Sequence, residues 1–303
     1  MLDSVISRFV SYLKVERNAS PHTITSYKKD LDSFALFLAA YDAQGRENPD
    51  AITRFHIRAW MGKLSDDGLS RSSIARKVSC LKSFFKYTLA RGYTTQNPAE
   101  LVSIPRTEKK LPVNLQQDEA LEMLTDFPVE TDWDAQDKAI LELLYATGIR
   151  LAELISIDVR DVQTGSHLLR LMGKGARERI VPYGEHAKAA LDDWLSRRSR
   201  CADPEAPEED RRALFLSKSG RRIYPVAVQR MVKKHIARVS EISKKSPHVL
   251  RHSFATHLLG QGADIRVIKE LLGHAALTST QIYTQTSIDH LKKVHEKAHP
   301  RGN

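Results

Sequence analysis

Cysteine is nearly absent: Cys80 and Cys201 are the only two in 303 residues. That is too few for a disulfide framework or a cysteine-built zinc site, and it is the usage expected in a reducing compartment. No apolar run approaches the roughly 18 residues that would suggest a membrane-spanning helix; the stretch at 35–41 is short and flanked by charge. Asp3 and Arg8 stand where a secretory leader needs an uninterrupted apolar core, so no leader is expected and the cytoplasm is the expected location. No repeat of fixed period is visible. The glycines around Lys174 lack the spacing of a phosphate-binding P-loop. A composition of 41% hydrophobic and 28% charged residues excludes a disordered or collagen-like chain, and at roughly 100–200 residues per domain the length suggests two domains.

Acidic residues are also missing from one long stretch. Lys and Arg outnumber Asp and Glu by 47 to 37 overall, and by 16 to 10 in residues 1–106. Between Gly68 and Ala99 there is no acid at all, while Arg71, Arg76, Lys77, Lys82, Lys86 and Arg91 fall there. Ile74, Val78, Leu81, Phe85 and Leu89 recur at helical spacing in the same stretch, which predicts an amphipathic helix with a cationic outer face. Such a face is either simply solvated or laid along DNA phosphates, where Arg71, Arg76, Lys77, Lys82 and Lys86 would displace counterions.

Helix signals divide the N-terminal region into four: an apolar face of Val5, Phe9, Tyr12 and Leu13; a second helix capped by Ser20-Pro21 and running toward Tyr41; a third near 54–64 after Asn48-Pro49; and the basic helix, capped by Ser70 and ended by Gly92. Prolines 98, 105 and 112, with Lys109 and Lys110, mark a linker at 107–112 between a domain of 1–106 and one of 113–303. The second domain reads as helical except at 167–172 and 179–183, two strand-like runs joined across Gly173-Lys174-Gly175-Ala176 as a β-hairpin. Residues 203–210 form an acidic loop, and Pro225, Ser246-Pro247, Asp264, Ser279 and Ser287 start further helices.

Several polar groups sit where packing does not ask for them. Arg150 lies at a turn between two apolar helices, where a buried guanidinium needs an anion; Glu153 or Asp158 could serve structurally. His248 and Arg251, three apart on the first turn of a helix, would share a face at its positive end. That arrangement suits an anion, though a surface His and a separately paired Arg fit equally. His274 follows a helix-ending Gly273, and Tyr283 lies in a Ser/Thr-rich segment where a packing role is the ordinary one. Lys174 at a hairpin tip is, alone, a solvated turn residue.

Together these residues form a pattern. Ala146-Thr147-Gly148-Ile149-Arg150-Leu151-Ala152-Glu153-Leu154, Met172-Gly173-Lys174-Gly175, the run from His248 to His257, Leu271-Leu272-Gly273-His274 and Gln281-Ile282-Tyr283-Thr284 resemble, in order and spacing, the motifs of tyrosine recombinases, the phage-integrase family. The closing His299-Pro300-Arg301 looks most like the bacterial Xer subgroup; Gln285, where many relatives carry His, is a departure outside the catalytic set.

The resemblance implies a mainly α fold: a four-helix SAM-like core-binding domain and a mostly helical catalytic domain with a small antiparallel β-sheet, closing as a C-shaped clamp on DNA. It implies that Tyr283 attacks a scissile phosphate to give a 3′-phosphotyrosyl intermediate, that Arg150, Arg251, His248 and His274 bind the phosphate and its transition state, and that Lys174 is the general acid. It implies no metal or other cofactor and no membrane. The expected partners are a double-stranded recombination site, a homo- or hetero-tetramer with a related recombinase, and a DNA-translocase activator. The tail, 287–298, would be a helix docked on a neighbouring subunit. The rivals are a non-enzymatic DNA-binding clamp, which would not need all six of these residues, a type IB topoisomerase, and a metal-dependent hydrolase built on His248, His252 and His257, which lacks the Glu of a His-Glu-x-x-His helix.

Overall fold

After the first helix, helix starts in the first hundred residues coincide with side chains able to satisfy backbone N–H groups that a helix leaves unpaired. In the computed structural model, which describes residues 1–104, 113–172, 178–273 and 285–302 (of 285–288 the backbone only), the chain divides into two compact units, Met1–Lys110 and Leu111–Asn303. The expected linker at 107–112, together with Lys174, His274 and Tyr283, lies outside the described residues.

The first unit holds four long helices, α1 (Leu2–Val15), α2 (Pro21–Tyr41), α4 (Arg54–Asp66) and α5 (Arg71–Ala90), with a short α3 (Ala43–Glu47) between the second and third. The Ser20 hydroxyl accepts the Thr23 N–H at 3.2 Å and that of Ser70 accepts the Ser73 N–H at 3.2 Å, so both predicted caps form. Phe9, Phe34, Leu38, Trp60, Val78, Leu81, Phe84 and Phe85 interlock as the core. Leu89 does not join them and is 43% exposed. The inward position on that turn belongs instead to Thr88, whose buried hydroxyl donates to the Phe85 carbonyl and meets that of Thr94 at 2.9 Å.

In the second unit, α6 (Gln117–Thr125) and α8 (Leu151–Ser156) flank α7 (Asp132–Thr147), whose residues from Ala139 to Thr147 are all buried. Strands β1 (Val162–Gln163), β2 (Leu168–Met172) and β3 (Glu178–Pro182) form an antiparallel sheet in that order, in register from Leu168 opposite Pro182 to Met172 opposite Glu178. Helix α9 (Glu185–Cys201) packs along α7. A single helical turn, α10 (Glu208–Arg211), sits in the acidic loop, and α11 (Pro225–Val239), α12 (Pro247–Gly260), α13 (Ile265–Leu271) and α14 (Gln285–Ala298) complete the unit.

Helix α14 begins two residues before Ser287, which therefore lies within its first turn and is not its cap. In the single chain this helix lies against α12, α13 and β3 of its own unit. Its buried side mixes apolar and polar groups: Leu291 and Ala298 are joined by His295 and, just beyond the helix, His299 and Arg301. The last carbonyls of any α-helix lack intrahelical donors, and the tail supplies them for α7. His295 Nε2 lies 2.7 Å from the Ala146 carbonyl and His299 Nε2 lies 3.0 Å from that of Tyr145. The His299 Nδ1 accepts the Arg301 N–H at 3.0 Å, so its proton is on Nε2 and the ring is neutral. Arg301 closes the seam on buried Glu142 at 2.9 Å. Burial raises Glu142 to about 7 against the pull of Arg301 and Lys138.

Burial pushes His295 down to about 4 despite its bond to Ala146. The unfolded chain, with the ordinary value of 6.5, therefore takes up this proton first. Stability from the neutral ring is fully present above pH 6.5 and is lost as pH falls toward 4. Relative to His295→Gln, which cannot gain the proton, the wild type should lose roughly 3 kcal/mol across that window, at about 1.4 kcal/mol per unit. Urea denaturation of both proteins at pH 7, 5.5 and 4 checks this; parallel pH dependences would refute a neutral buried His295.

Candidate active site

The turn after α7 is made by a glycine for two reasons. Gly148 has a left-handed φ of 57°, and a Cβ there would meet Phe254 Cδ1 at 2.5 Å and Leu272 Cδ2 at 2.9 Å. The turn delivers Arg150 to the N-cap of α8, where the Glu153 carboxylate takes hold of it twice. Glu153 Oε2 accepts the Arg150 backbone N–H at 2.7 Å, and Oε1 accepts Nη1 at 3.0 Å. The Arg150 guanidinium is not buried as the apolar flanks suggested; it remains 41% exposed, with Glu153 as its acid, while Asp158 pairs instead with Arg222 at 2.7 Å and Arg212 at 3.1 Å. Arg150 Nη2 also donates to the carbonyl of Gly273 at 3.2 Å.

Arg251, on α12, is the buried arginine of the pair. It donates to the carbonyl of Gly148 and, at 2.7 Å, to that of Leu272. Burial, with the nearby charge of Arg150, lowers it to about 10, so at neutral pH it remains a cation, and among the described residues no acid pairs with it directly. His248, expected on the same face, is exposed at the helix start. The inner surface of α12 is filled by Val249, Leu250, Ser253 and Phe254, and near the helix start carbonyl acceptors draw in Arg251 but not His248. Ser253 accepts the Leu115 N–H at 2.8 Å, and His257 meets the Leu115 carbonyl at 3.0 Å and the Tyr145 hydroxyl at 2.8 Å. His257 is thus committed to the core, and among the described residues no cluster of three His, Cys, Asp or Glu is placed to hold a metal.

The second turn is at Gly273, φ 63°, directly before His274. Its carbonyl and that of Leu272 face Arg150 and Arg251, and a Cβ at 273 would come 3.0–3.2 Å from the guanidinium of Arg179. Arg150 and Arg251 therefore converge on two glycine turns. Arg179 and Glu153 are the site residues that reasoning from motifs undervalued. The signal for Arg179 was its strand register: positions 179 and 181 both point inward, and an arginine on the buried side of a strand needs a buried acid. Glu153 stays ionised because, although burial works to raise it, the hydrogen bond and charge of Arg179, with those of Arg150, hold it below the ordinary value.

On α5 the five expected DNA contacts differ in availability. Arg71 and Lys86 are exposed. Lys82 reaches the Glu100 carbonyl at 3.3 Å. Arg76 forks onto buried Asp30, and Lys77 is largely buried, 2.9 Å from Asp30 and 5.6 Å above the Trp60 ring. Lys77 thus anchors α5 to α2 and is not part of a free cationic face.

The Phage integrase family profile matches residues 114–290, and that of the Phage integrase N-terminal SAM-like domain matches residues 6–92. The chain belongs to the phage integrase family. Within this family it is 40% identical to a tyrosine recombinase XerC of Pelobacter propionicus over 98% of this chain and 95% of that protein. It is 41% identical to the XerC of Vibrio vulnificus over 98% and 91% respectively. Its fold resembles those of the Tn1549 transposon integrase in complex with transposon right-end DNA (TM-score 0.71, 19% identity, 94% and 97% covered) and XerH recombinase in a post-cleavage complex with difH substrate (0.68, 22%, 95% and 83%). The integrase profile ends at residue 290, so the tail histidines and Arg301 lie beyond the matched stretch.

Gly273→Ala should be costly in this integrase unit. A left-handed backbone costs a non-glycine residue about 1–2 kcal/mol, and the new methyl would also displace Arg179. Thermal or urea unfolding of the second unit should show a loss of at least that size; an unchanged midpoint would mean that the turn relaxes without strain.

Proposed function

We propose that the chain is a site-specific DNA recombinase of the Xer type, of XerC character, that cuts and rejoins strands through a 3′-phosphotyrosyl intermediate and a Holliday junction. The observation that carries this reading is the convergence of Arg150 and Arg251 on the turns at Gly148 and Gly273, in a family member about 40% identical to XerC recombinases over nearly its whole length. Resolution of chromosome or plasmid dimers at cell division, in the cytoplasm, is the role consistent with those relatives.

In the proposed reaction the Tyr283 oxygen attacks the scissile phosphorus, forming a P–O bond as the P–O5′ bond breaks. His248, accessible at the start of α12, takes the tyrosine proton. Lys174, carried between β2 and β3, gives a proton to the departing 5′-oxygen, which an ammonium can do and a guanidinium cannot readily do. Arg150, Arg251 and His274 offset the charge that builds on the non-bridging oxygens. The phosphotyrosyl bond retains the free energy of the phosphodiester, so the same steps reversed rejoin a strand.

Arg71, Lys82 and Lys86 would contact phosphates from the first unit, with Arg76 sharing itself between DNA and Asp30. Domain limits of 1–106 and 113–303 suit this division of labour. Assembly as a homo- or hetero-tetramer on two sites, with a DNA translocase as activator, follows the same reading. So does exchange of α14 onto a neighbouring subunit, which would require releasing His295, His299 and Arg301 from α7.

Tyr283→Phe tests the chemistry. On nicked duplexes carrying a bound site, the variant should keep wild-type affinity in gel shifts and form no covalent adduct. An adduct at the wild-type rate would assign the nucleophile elsewhere.

A further inference from the structure

We propose that Arg179 is a positioning residue for strand cleavage: by occupying the Glu153 carboxylate it keeps Arg150 from collapsing onto that acid, and it braces the turn that leads to His274. The inference rests on the recombinase reading and adds a residue to its machinery.

Arg179 sits near the start of β3 with its side chain 8% exposed. Its two terminal nitrogens grip both oxygens of Glu153, at 2.5 and 2.9 Å. The same oxygens receive the Nη1 and the backbone N–H of Arg150 at 3.0 and 2.7 Å. A carboxylate offers about four lone-pair directions, so Glu153 is filled by two donors from each arginine. The other face of the arrangement is Gly273, which lies against the Arg179 guanidinium while its carbonyl accepts Arg150 Nη2 at 3.2 Å. The contacts close a ring: Arg150, Glu153, Arg179, Gly273 and back to Arg150. The ring joins α8, β3 and the turn that precedes His274.

Arg179 does not bind phosphate itself, because it is buried and its fork is already spent on Glu153. Arg150 differs: with Glu153 saturated, its side chain meets the acid through Nη1 alone and keeps much of its surface open. Without Arg179 the freed carboxylate lone pairs would draw Arg150 into a two-pronged pair, the geometry that arginine and carboxylate prefer. That would neutralise the cation the transition state needs while leaving DNA affinity, spread over many contacts, intact.

The test uses the full-length chain and a nicked duplex carrying the site that the wild type itself selects from a random-sequence pool. Single-turnover adduct formation at saturating protein is measured beside the dissociation constant. Arg179→Ala should form adduct about 10- to 100-fold more slowly, the usual effect of losing a partner that orients an active-site ligand, with unchanged affinity. Guanidinium at concentrations well below denaturing should restore part of the rate, and potassium at equal ionic strength should not. Arg179→Lys, which keeps a buried cation but reaches only one Glu153 oxygen, should retain the wild-type melting temperature yet cleave slowly, so a misfolded alanine variant would not spare the idea.

The deciding variant is Arg179→Ala with Glu153→Gln. Removing the charge that captures Arg150 should make the double variant faster than Arg179→Ala alone, whereas a merely structural Arg179 makes it slower. A double variant no faster than the single, or Arg179→Lys cleaving at the wild-type rate, overturns the proposal. A wild-type chain that selects a site and forms no adduct overturns the recombinase reading, and this inference with it.

Discussion

Glu153 is a buried carboxylate shared by two arginines, and the arrangement of the candidate site depends on it. A charge removed from water is tolerated only when paired and fully hydrogen-bonded. Glu153 meets that condition by accepting four hydrogen bonds, from the backbone and side chain of Arg150 and from the fork of Arg179. Its burial is therefore also a demand: taking Arg179 away leaves buried carboxylate acceptor positions unfilled unless Arg150 moves to fill them, and an unfilled buried acceptor costs about 1–3 kcal/mol. Because the partners come from β3 and from the N-cap of α8, satisfying this one group docks the sheet against the turn after α7. Gly273 can approach only because it lacks a side chain.

The C-terminal end of α7 plays a comparable part on the other side of the site. Carbonyls at a helix end carry partial negative charge and seek donors. Here Tyr145 and Ala146 receive His299 and His295 from the tail, and Gly148 receives Arg251 from α12. One helix end thus serves both Arg251 and the tail. Neutral histidines suit this task, since each can donate through one ring nitrogen. The tail is held by these bonds, by the Arg301–Glu142 pair and by the packing of Leu291 and Ala298 in the apolar cluster of α12 and α13.

The helices were legible in the sequence where local chemistry decides them. Ser20 and Ser70 cap as their positions suggest, and the two strand-like runs pair as antiparallel β2 and β3. Arg150 and Arg251 could be singled out from motifs, and the structure brings both to the same two turns. What pattern alone could not decide was competition for a partner. Lys77 belongs to a cationic stripe by spacing, but buried Asp30 claims it from the next helix. His248 and Arg251 are three apart and still differ in burial, because only Arg251 finds carbonyls within the core. Arg179 and the tail histidines carried no apolar signal at all; their roles arise from groups more than twenty residues away in sequence, Glu153 for one and the α7 carbonyls for the others.

Central to this picture is that Glu153 is ionised and shared in the folded protein. Carboxyl-carbon NMR of the full-length chain, with the Glu153 resonance assigned by its loss in Glu153→Gln, reads this directly as a titration midpoint. A midpoint below 4.5, the ordinary glutamate value, that moves upward when Arg179 is replaced by Met is expected of a carboxylate held by two guanidinium groups. A midpoint at or above 4.5, or one indifferent to Arg179, would contradict it.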